Sequence, residues 1–505
     1  MPVPPIEPDV IDPGVIEEVD RVFETHYARG AAPSAAWGIF GADGLQHFSS
    51  AGSLPSGALP HRDTAYRIAS CTKSFTAASV LTLRDAGRLS LDDPITRFLP
   101  ALEAVQLPTA DAPVPTIRML LTMSGGFPTD DPWADRLESI SAAQLDQLVR
   151  SGLSFEYVPG TGYAYSNLGY ALLGRVVEEV AGQAYRDVIR DLFLEPLRLT
   201  CTGFDSSVAD GAELALGHRW IDEAWHPLPL SGPGAFSPIG GLFSTVTDLS
   251  RWAGWLAEAF QAAGPSGTEN SGNTSSTAQA AIPEPLSRAS RREMQQLHRF
   301  VPGGTHPLGY GFGLFVEPRS DGENVISHSG GYPGYSAHMR WSATGGYGII
   351  AFENATYSRV SVPATEACEL LIRSRPKRPA SVWEATRDAQ LRITELIQVE
   401  VHGEADADQL AAGLFADNVP LDEPWDRRRA AIARAAAEIG GLLPSPPLRA
   451  SQPPSTTLAV DEESTGAAHL AWYLPGAAGR LRVEIQLTPQ FPPRVQTLKV
   501  SADRV

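Results

Sequence analysis

The feature that most constrains this chain is the stretch Tyr66 to Ala77. There an apolar strand-like run, Tyr66-Arg67-Ile68-Ala69, passes into an Ala-rich helical pattern that carries Ser70 and Lys73. Positions i and i+3 of a helix share one face, so Lys73 can reach back to Ser70. A serine hydroxyl is a poor nucleophile near neutral pH and needs a base to take its proton. An amine in a buried site is pushed toward its neutral form, which can act as that base. Taken alone, a Ser and a Lys at this spacing recur by chance in long chains, and the plain reading is two surface residues. The constraint tightens only with what stands elsewhere in the sequence.

Two further segments supply it. One is Tyr163-Ala164-Tyr165-Ser166-Asn167, after the turn-forming Pro159-Gly160-Thr161-Gly162; the other is Ile326-Ser327-His328-Ser329-Gly330-Gly331-Tyr332. With Ser70-Cys71-Thr72-Lys73 they resemble, in order and wide spacing, the S-x-x-K, Y-x-N and H/K-x-G signatures of the serine β-lactamase and penicillin-binding protein superfamily. Thr116 to Gly126, Phe155 to Leu173 and Gly240 to Thr245 are similar to family segments between the signatures. The resemblance runs over roughly residues 12 to 375.

It implies an α+β fold: an antiparallel sheet flanked by helices, joined to a mainly helical region that holds Tyr165 and Asn167. It also implies roles. Ser70 attacks an acyl carbon, with Lys73 or Tyr165 as base. A phenol beside cations is biased toward phenolate and can relay a proton. Asn167 orients Lys73 or holds a substrate carbonyl. His328 stands where many relatives carry Lys, and a His is only partly charged near neutrality. Recognition of a substrate carboxylate is expected to be weaker, leaving His328 to hydrogen-bond Tyr165. Relatives with His here include D-alanyl-D-alanine peptidases, D-aminopeptidases and esterases. Ser329, Gly330 and Gly331 are expected to bind substrate, the glycines by letting it pair along a strand edge. The N–H groups of Ser70 and Gly331 are the implied oxyanion hole. Loops Phe127 to Arg136 and Ser231 to Ile239 shape the pocket, with Trp133, Phe236 and Tyr332 as candidate lining residues.

Composition removes rivals. A net charge of −18 with no basic run argues against nucleic acid. Cys71, Cys201 and Cys368 are too few and scattered for a disulfide framework or zinc cluster. The eleven histidines are dispersed, with no H-E-x-x-H, and neither a G-x-S-x-G nor a nucleotide fingerprint is present. No metal or other cofactor is expected. The start, Met1 to Asp9, lacks a basic region followed by an apolar one, and no apolar run approaches a membrane span, so the sequence reads as cytoplasmic.

The expected elements are a helix over residues 13–29 and strands Ala35 to Phe40 and Leu45 to Ser50. A helix follows from Arg288 to His298. Later strands are Gly311 to Glu317, Val325 to Ser327, Ser336 to Ser342 and Tyr347 to Asn354, with a closing helix from Val362 to Ile372. Residues 261–283, rich in Gly, Ser, Thr, Asn and Ala, read as a mobile insertion. The hydrolase domain is expected over 1–378 and a smaller α+β domain over 379–505, after the linker Arg373 to Pro379. Its helices are Val382 to Val401, Asp406 to Phe415 and Pro424 to Ile439. Its strands are Thr456 to Val460, His469 to Leu474, Leu481 to Thr488 and Val495 to Val500. Leu410 to Val419 is faintly similar to cystatin-like, nuclear-transport-factor-2-type domains. No catalytic constellation is legible there, so the expected role is dimerisation or covering the active-site mouth. The functional expectation is a serine hydrolase acting through an acyl-enzyme on a small ester, amide or peptide. The alternatives are a β-lactamase and a non-catalytic acyl-trapping protein.

Overall fold

Ala35-Ala36-Trp37-Gly38-Ile39-Phe40 is apolar on both faces, which suits a strand covered on both sides. In the computed structural model the strand containing it, Ser34–Gly41, is buried throughout. Residues 11–41, 44–205, 208, 213–261, 284–304, 306–320, 322–375, 381–402, 410–443, 458–459 and 461–503 are described. The expected insertion beyond residue 261, most of the linker, the start of the Asp406 helix and three of the five residues of the Thr456 strand lie outside them. The chain divides into two compact units, Met1–Arg375 and Pro376–Val505.

The first unit is built on an eight-stranded antiparallel sheet. Its strands are β1 (Ser34–Gly41), β2 (Gly44–Gly52), β3 (Arg299–Phe300), β4 (Gly309–Tyr310), β5 (Phe315–Pro318), β6 (Asn324–Tyr332), β7 (Tyr335–Ser342) and β8 (Tyr347–Glu353). They lie in the order β2-β1-β8-β7-β6-β5-β4-β3. Side chains alternate across a strand, so β1 feeds two cores. Ala35, Trp37 and Ile39 meet the helices Pro13–Tyr27 and Ser361–Ser374, with Phe23 stacked on Trp37 at 5.0 Å. Ala36 and Phe40 join the larger core with Phe75, Trp252 and the helical region.

Two strand readings needed correction. Gly311 to Glu317 is not one strand: Tyr310 pairs with Phe315, and Gly311 to Leu314 makes the hairpin between β4 and β5. The Gly311 N–H bonds the Leu314 carbonyl at 2.8 Å. The strand expected at Val325 to Ser327 runs on to Tyr332. The helix expected to reach His298 ends at Met294, because His298 N–H turns to the Tyr310 carbonyl and the chain enters β3.

The second unit packs helices Glu384–His402 and Trp425–Glu438 with a three-stranded antiparallel sheet, His469–Gly476, Gly479–Leu487 and Val495–Asp503. A short helix, Asn418–Asp422, falls where the sequence pattern gave none. The buried polar contacts of this unit tie helix to sheet, as in Trp472 Nε1 donating to Thr394 Oγ1 at 3.1 Å. No helix among the described residues is long and apolar enough to cross a membrane.

Candidate active site

The strand-to-helix junction seen in the sequence is a sharp one. Tyr66–Arg67 pairs with Phe243–Ser244, Ala69 takes φ +47°, and a 3₁₀ turn over Ala69–Cys71 leads into the helix Thr72–Asp85. A positive φ at a residue with a Cβ is strained, and here it directly precedes the nucleophile candidate. The helix is held from behind by Phe75 stacked on Trp252 at 3.7 Å, and Trp252 Nε1 donates to Ser74 Oγ at 2.9 Å.

Ser70 and Lys73 meet as their spacing predicts. Lys73 Nζ donates to Ser70 Oγ at 3.0 Å and to the Ile239 carbonyl at 2.8 Å. Lys73 is fully buried. Burial lowers its pKa to about 8, opposed by the carboxylates of Asp131, Asp135 and Asp130. A large share of this amine is therefore neutral in mildly alkaline water.

Tyr165 stands beside both. Its ring centroid is 5.1 Å from Lys73 Nζ. The expectation of a phenolate is overturned by electrostatics. Burial lifts the Tyr165 pKa well above its usual value, Asp131 adds to the rise, and the influence of the Ser70 hydroxyl opposes it only in part. Stacking on Phe315 at 6.4 Å and an edge contact with Tyr310 at 6.4 Å explain the desolvation.

Asn167 begins the helix Asn167–Ala181, capped by Ser166, whose Oγ accepts from Gly169 N–H. Its amide does not reach Lys73 as expected. Nδ2 donates to Asp131 Oδ1 at 2.5 Å, and Oδ1 is buried with no partner. Asp130 takes the N–H groups of Asn167 and Leu168, at 2.7 and 2.9 Å, a carboxylate at a helix N-terminus.

His328 lies on β6, but its partner is Tyr310 rather than Tyr165. Nε2 is 3.2 Å from the Tyr310 hydroxyl and Nδ1 is 2.7 Å from the Ser329 carbonyl. A carbonyl can only accept, so Nδ1 carries the proton and Tyr310 donates to Nε2. Burial, helped by Lys73, lowers the His328 pKa to about 3. The residue is neutral near pH 7, where the sequence implied partial charge.

The glycines serve the protein itself. A Cβ on Gly330 would sit 2.2 Å from the Ile68 carbonyl, and one on Gly331 would sit 2.8 Å from the Tyr357 ring. Their lack of a side chain leaves room for the nucleophile turn at Ile68 and for Tyr357. Pairing of β6 with β5 stops at Ser327, so His328 to Gly331 keep one strand edge unpaired by β5. Ser329 is exposed and its Oγ is 2.9 Å from His338 Nδ1.

The expected lining residues divide. Trp133 is exposed and meets Phe236 edge-on at 5.8 Å, while Phe236 is fully buried. Tyr332 belongs to the wall: its hydroxyl donates to Glu138 Oε2 at 3.0 Å and Arg67 covers its ring at 3.9 Å. Arg67 and Glu138 are a fully buried ion pair, and Arg67 Nε also donates to the Gly240 carbonyl at 3.0 Å. That pins the short helix Ser237–Gly240, whose Ile239 carbonyl receives Lys73. Sequence reasoning missed Tyr310, Phe315, Glu138, Asp131, Asp135 and Tyr357. All are brought in by long-range packing, with no local pattern to mark them. Cleft size is no guide either: a cleft of about 920 Å³ lined by Glu317, Arg319, Arg340 and Glu369 contains none of the residues around Ser70.

The family model described as Beta-lactamase matches residues 19–370. Protein flp of Staphylococcus aureus (strain COL) is 26% identical over 297 residues, which is 58% of this chain and 53% of flp. The chain thus spans about half the length of the curated relatives it matches. Among solved structures, the octameric penicillin-binding protein homologue from Pyrococcus abyssi superposes with TM-score 0.59 at 19% identity, covering 97% of this chain and 98% of that one. The D-amino acid amidase from Ochrobactrum anthropi SV3, complexed with D-phenylalanine, gives TM-score 0.55 at 22% identity, covering 72% of this chain and all of that one.

Proposed function

The chain belongs to the beta-lactamase family, and from that premise we propose that it is a serine hydrolase working through an acyl-enzyme on small esters or amides. The observation that carries this reading is the buried Lys73 amine 3.0 Å from Ser70 Oγ, with a pKa of about 8. The neutral amine takes the Ser70 proton as Oγ attacks the acyl carbon. The leaving alcohol or amine departs with a proton delivered through Lys73 or the neutral Tyr165 hydroxyl. Water then attacks the Ser70 ester, giving the acid and restoring the hydroxyl.

His328 shapes the substrate choice. A buried neutral imidazole bonded to Tyr310 offers no charge to a carboxylate. This favours ester or D-amino-acid amide cleavage over efficient β-lactam hydrolysis. The test is turnover of a short-chain p-nitrophenyl ester and of nitrocefin beside a Ser70→Ala control. Ester turnover lost in the control, with little nitrocefin cleavage, is the expected result. Fast nitrocefin cleavage would overturn the reading of His328. A single labelling of Ser70 without turnover would make the protein an acyl trap. The full-length match to an octameric homologue supports a homo-oligomer as a second part of the proposal, and a monomeric mass by light scattering would remove it.

A further inference from the structure

The helix Ser361–Ser374 carries Thr365, Glu369 and Arg373 at successive steps of four, which puts them on one face. That stripe lines the cleft of about 920 Å³ that contains none of the residues around Ser70. The rest of its lining includes Glu317 and Pro318 of β5, Arg319 and Ser320 just after them, and Arg340 of β7. Among the described lining residues, three guanidinium groups stand against two carboxylates. The surplus is local, since the whole chain carries a net charge of −18.

Both carboxylates are engaged, whereas Arg340 and Arg373 have donors to spare. Glu369 Oε1 accepts from Arg319 Nη1 at 2.5 Å and lies 3.7 Å from Arg340 Nη2. Glu317 Oε2 accepts from Arg340 Nη2 at 2.7 Å. Arg340 thus meets both acids through one nitrogen. Its side chain is 6% exposed, and its Nε is buried with no acceptor. A guanidinium has five N–H bonds, and leaving a buried one unmade is costly. Arg373 is exposed and has no ion-pair partner among the described residues. The Thr365 and Ser320 hydroxyls have no protein partner among them either. These donors reach the cleft from a helix, a strand and a loop. A carboxylate offers them two oxygens and one charge, whereas a phosphate monoester offers three strong acceptor oxygens and up to two charges. Pro307, Leu308 and Pro318 add apolar surface to the same cleft. Its volume suits a small organic molecule, whose sites run from about 300 to 1,000 Å³.

We propose that this cleft binds the phosphate monoester of a small organic molecule. Arg340 and Arg373 take the phosphate, with Thr365 and Ser320 as further donors, and the organic body lies against Leu308 and the two prolines. The site is separate from Ser70 and stands whether or not Ser70 is the nucleophile. A singly charged carboxylate gains less from the two arginines and still meets repulsion from Glu317 and Glu369.

The experiment is calorimetric titration of the full chain with phenyl phosphate, benzoate and inorganic phosphate at constant ionic strength. The expected result is one phenyl phosphate per chain, bound at least about tenfold more tightly than benzoate. Inorganic phosphate, which lacks the organic body, should bind more weakly than the ester. Arg373→Ala alters an exposed side chain and should weaken phenyl phosphate at least about tenfold. Arg340→Lys keeps the charge but removes the planar fork, and should weaken it as well. If Arg340→Lys fails to fold, Arg373→Ala carries the test alone. Ser70→Ala should bind as the parent does, which separates this cleft from the hydrolase site. Phenyl phosphate should also raise the melting temperature of the parent more than that of Arg373→Ala. No saturable binding, equal binding in the parent and Arg373→Ala, or binding lost in Ser70→Ala overturns the site. Benzoate bound as tightly as phenyl phosphate overturns the phosphate, and inorganic phosphate bound as tightly overturns the organic body.

Discussion

Glu138 and Asp135 are both buried acids within reach of the nucleophile turn, and they are used in opposite ways. Glu138 is saturated: Arg67, the Tyr332 hydroxyl and Ser237 Oγ all donate to it, the last at 3.2 Å. Asp135 has a single phenolic donor, Tyr357. Burial raises the pKa of both, opposed most strongly by the Arg67 charge at Glu138 and by the Tyr357 hydrogen bond at Asp135, which climbs to about 7. A saturated buried acid fixes the backbone around it, here the helical turn carrying Ile239 and Gly240. An unsaturated one stores a cost that a ligand can relieve. The difference lies in the number of donors, since depth is similar for the two.

The largest effect should come from breaking the saturated side. Glu138→Ala leaves Arg67 buried and unpaired and should cost about 3–5 kcal/mol in a denaturant titration. A loss below about 1 kcal/mol would mean that the pair does not hold the wall.

Next in size is the pH dependence of turnover of a neutral ester. Lys73 has its pKa lowered to about 8 by burial, so the neutral amine grows as pH rises. We expect kcat/KM to climb about tenfold per pH unit below 8 and to level off above it. With Tyr165 held neutral by burial, a climb that continued past about pH 10 would instead point to the phenol as base.

The smallest effect concerns Asp135 and stability. Its folded pKa lies above its unfolded value, so the stability it contributes is present below about pH 4 and lost as pH rises through about 7. Asp135→Asn should therefore melt a few degrees higher than the parent at pH 8 and gain nothing near pH 4. A loss at pH 8 would place Asp135 with Glu138 as a fixed structural group.

Legibility in the sequence followed the range of the interaction. The Ser70–Lys73 contact could be read from helical spacing, because both residues lie on one turn. The sheet strands Ser34–Gly41, Tyr335–Ser342 and Tyr347–Glu353 could be read from apolar runs bounded by turn residues. Tyr165 and His328 were visible only through family resemblance, since no local rule brings them to Ser70. Tyr310 was lost because Gly311 to Glu317 reads as one strand, while the hairpin there sets Tyr310 and Phe315 side by side. The charge states were misread for a related reason. Nearby cations suggested a phenolate at Tyr165, and the ordinary titration range of histidine suggested partial charge on His328, but burial decides both, and burial is a property of the assembled core.

The most direct test of the account is intact-mass analysis of the protein quenched during turnover of p-nitrophenyl acetate, with Ser70→Ala alongside. The account predicts an added acetyl group on Ser70 that disappears as substrate is consumed, many turnovers per protein, and neither signal in the variant. An acetyl group mapped to another residue, or p-nitrophenol release equal in both proteins, would contradict it.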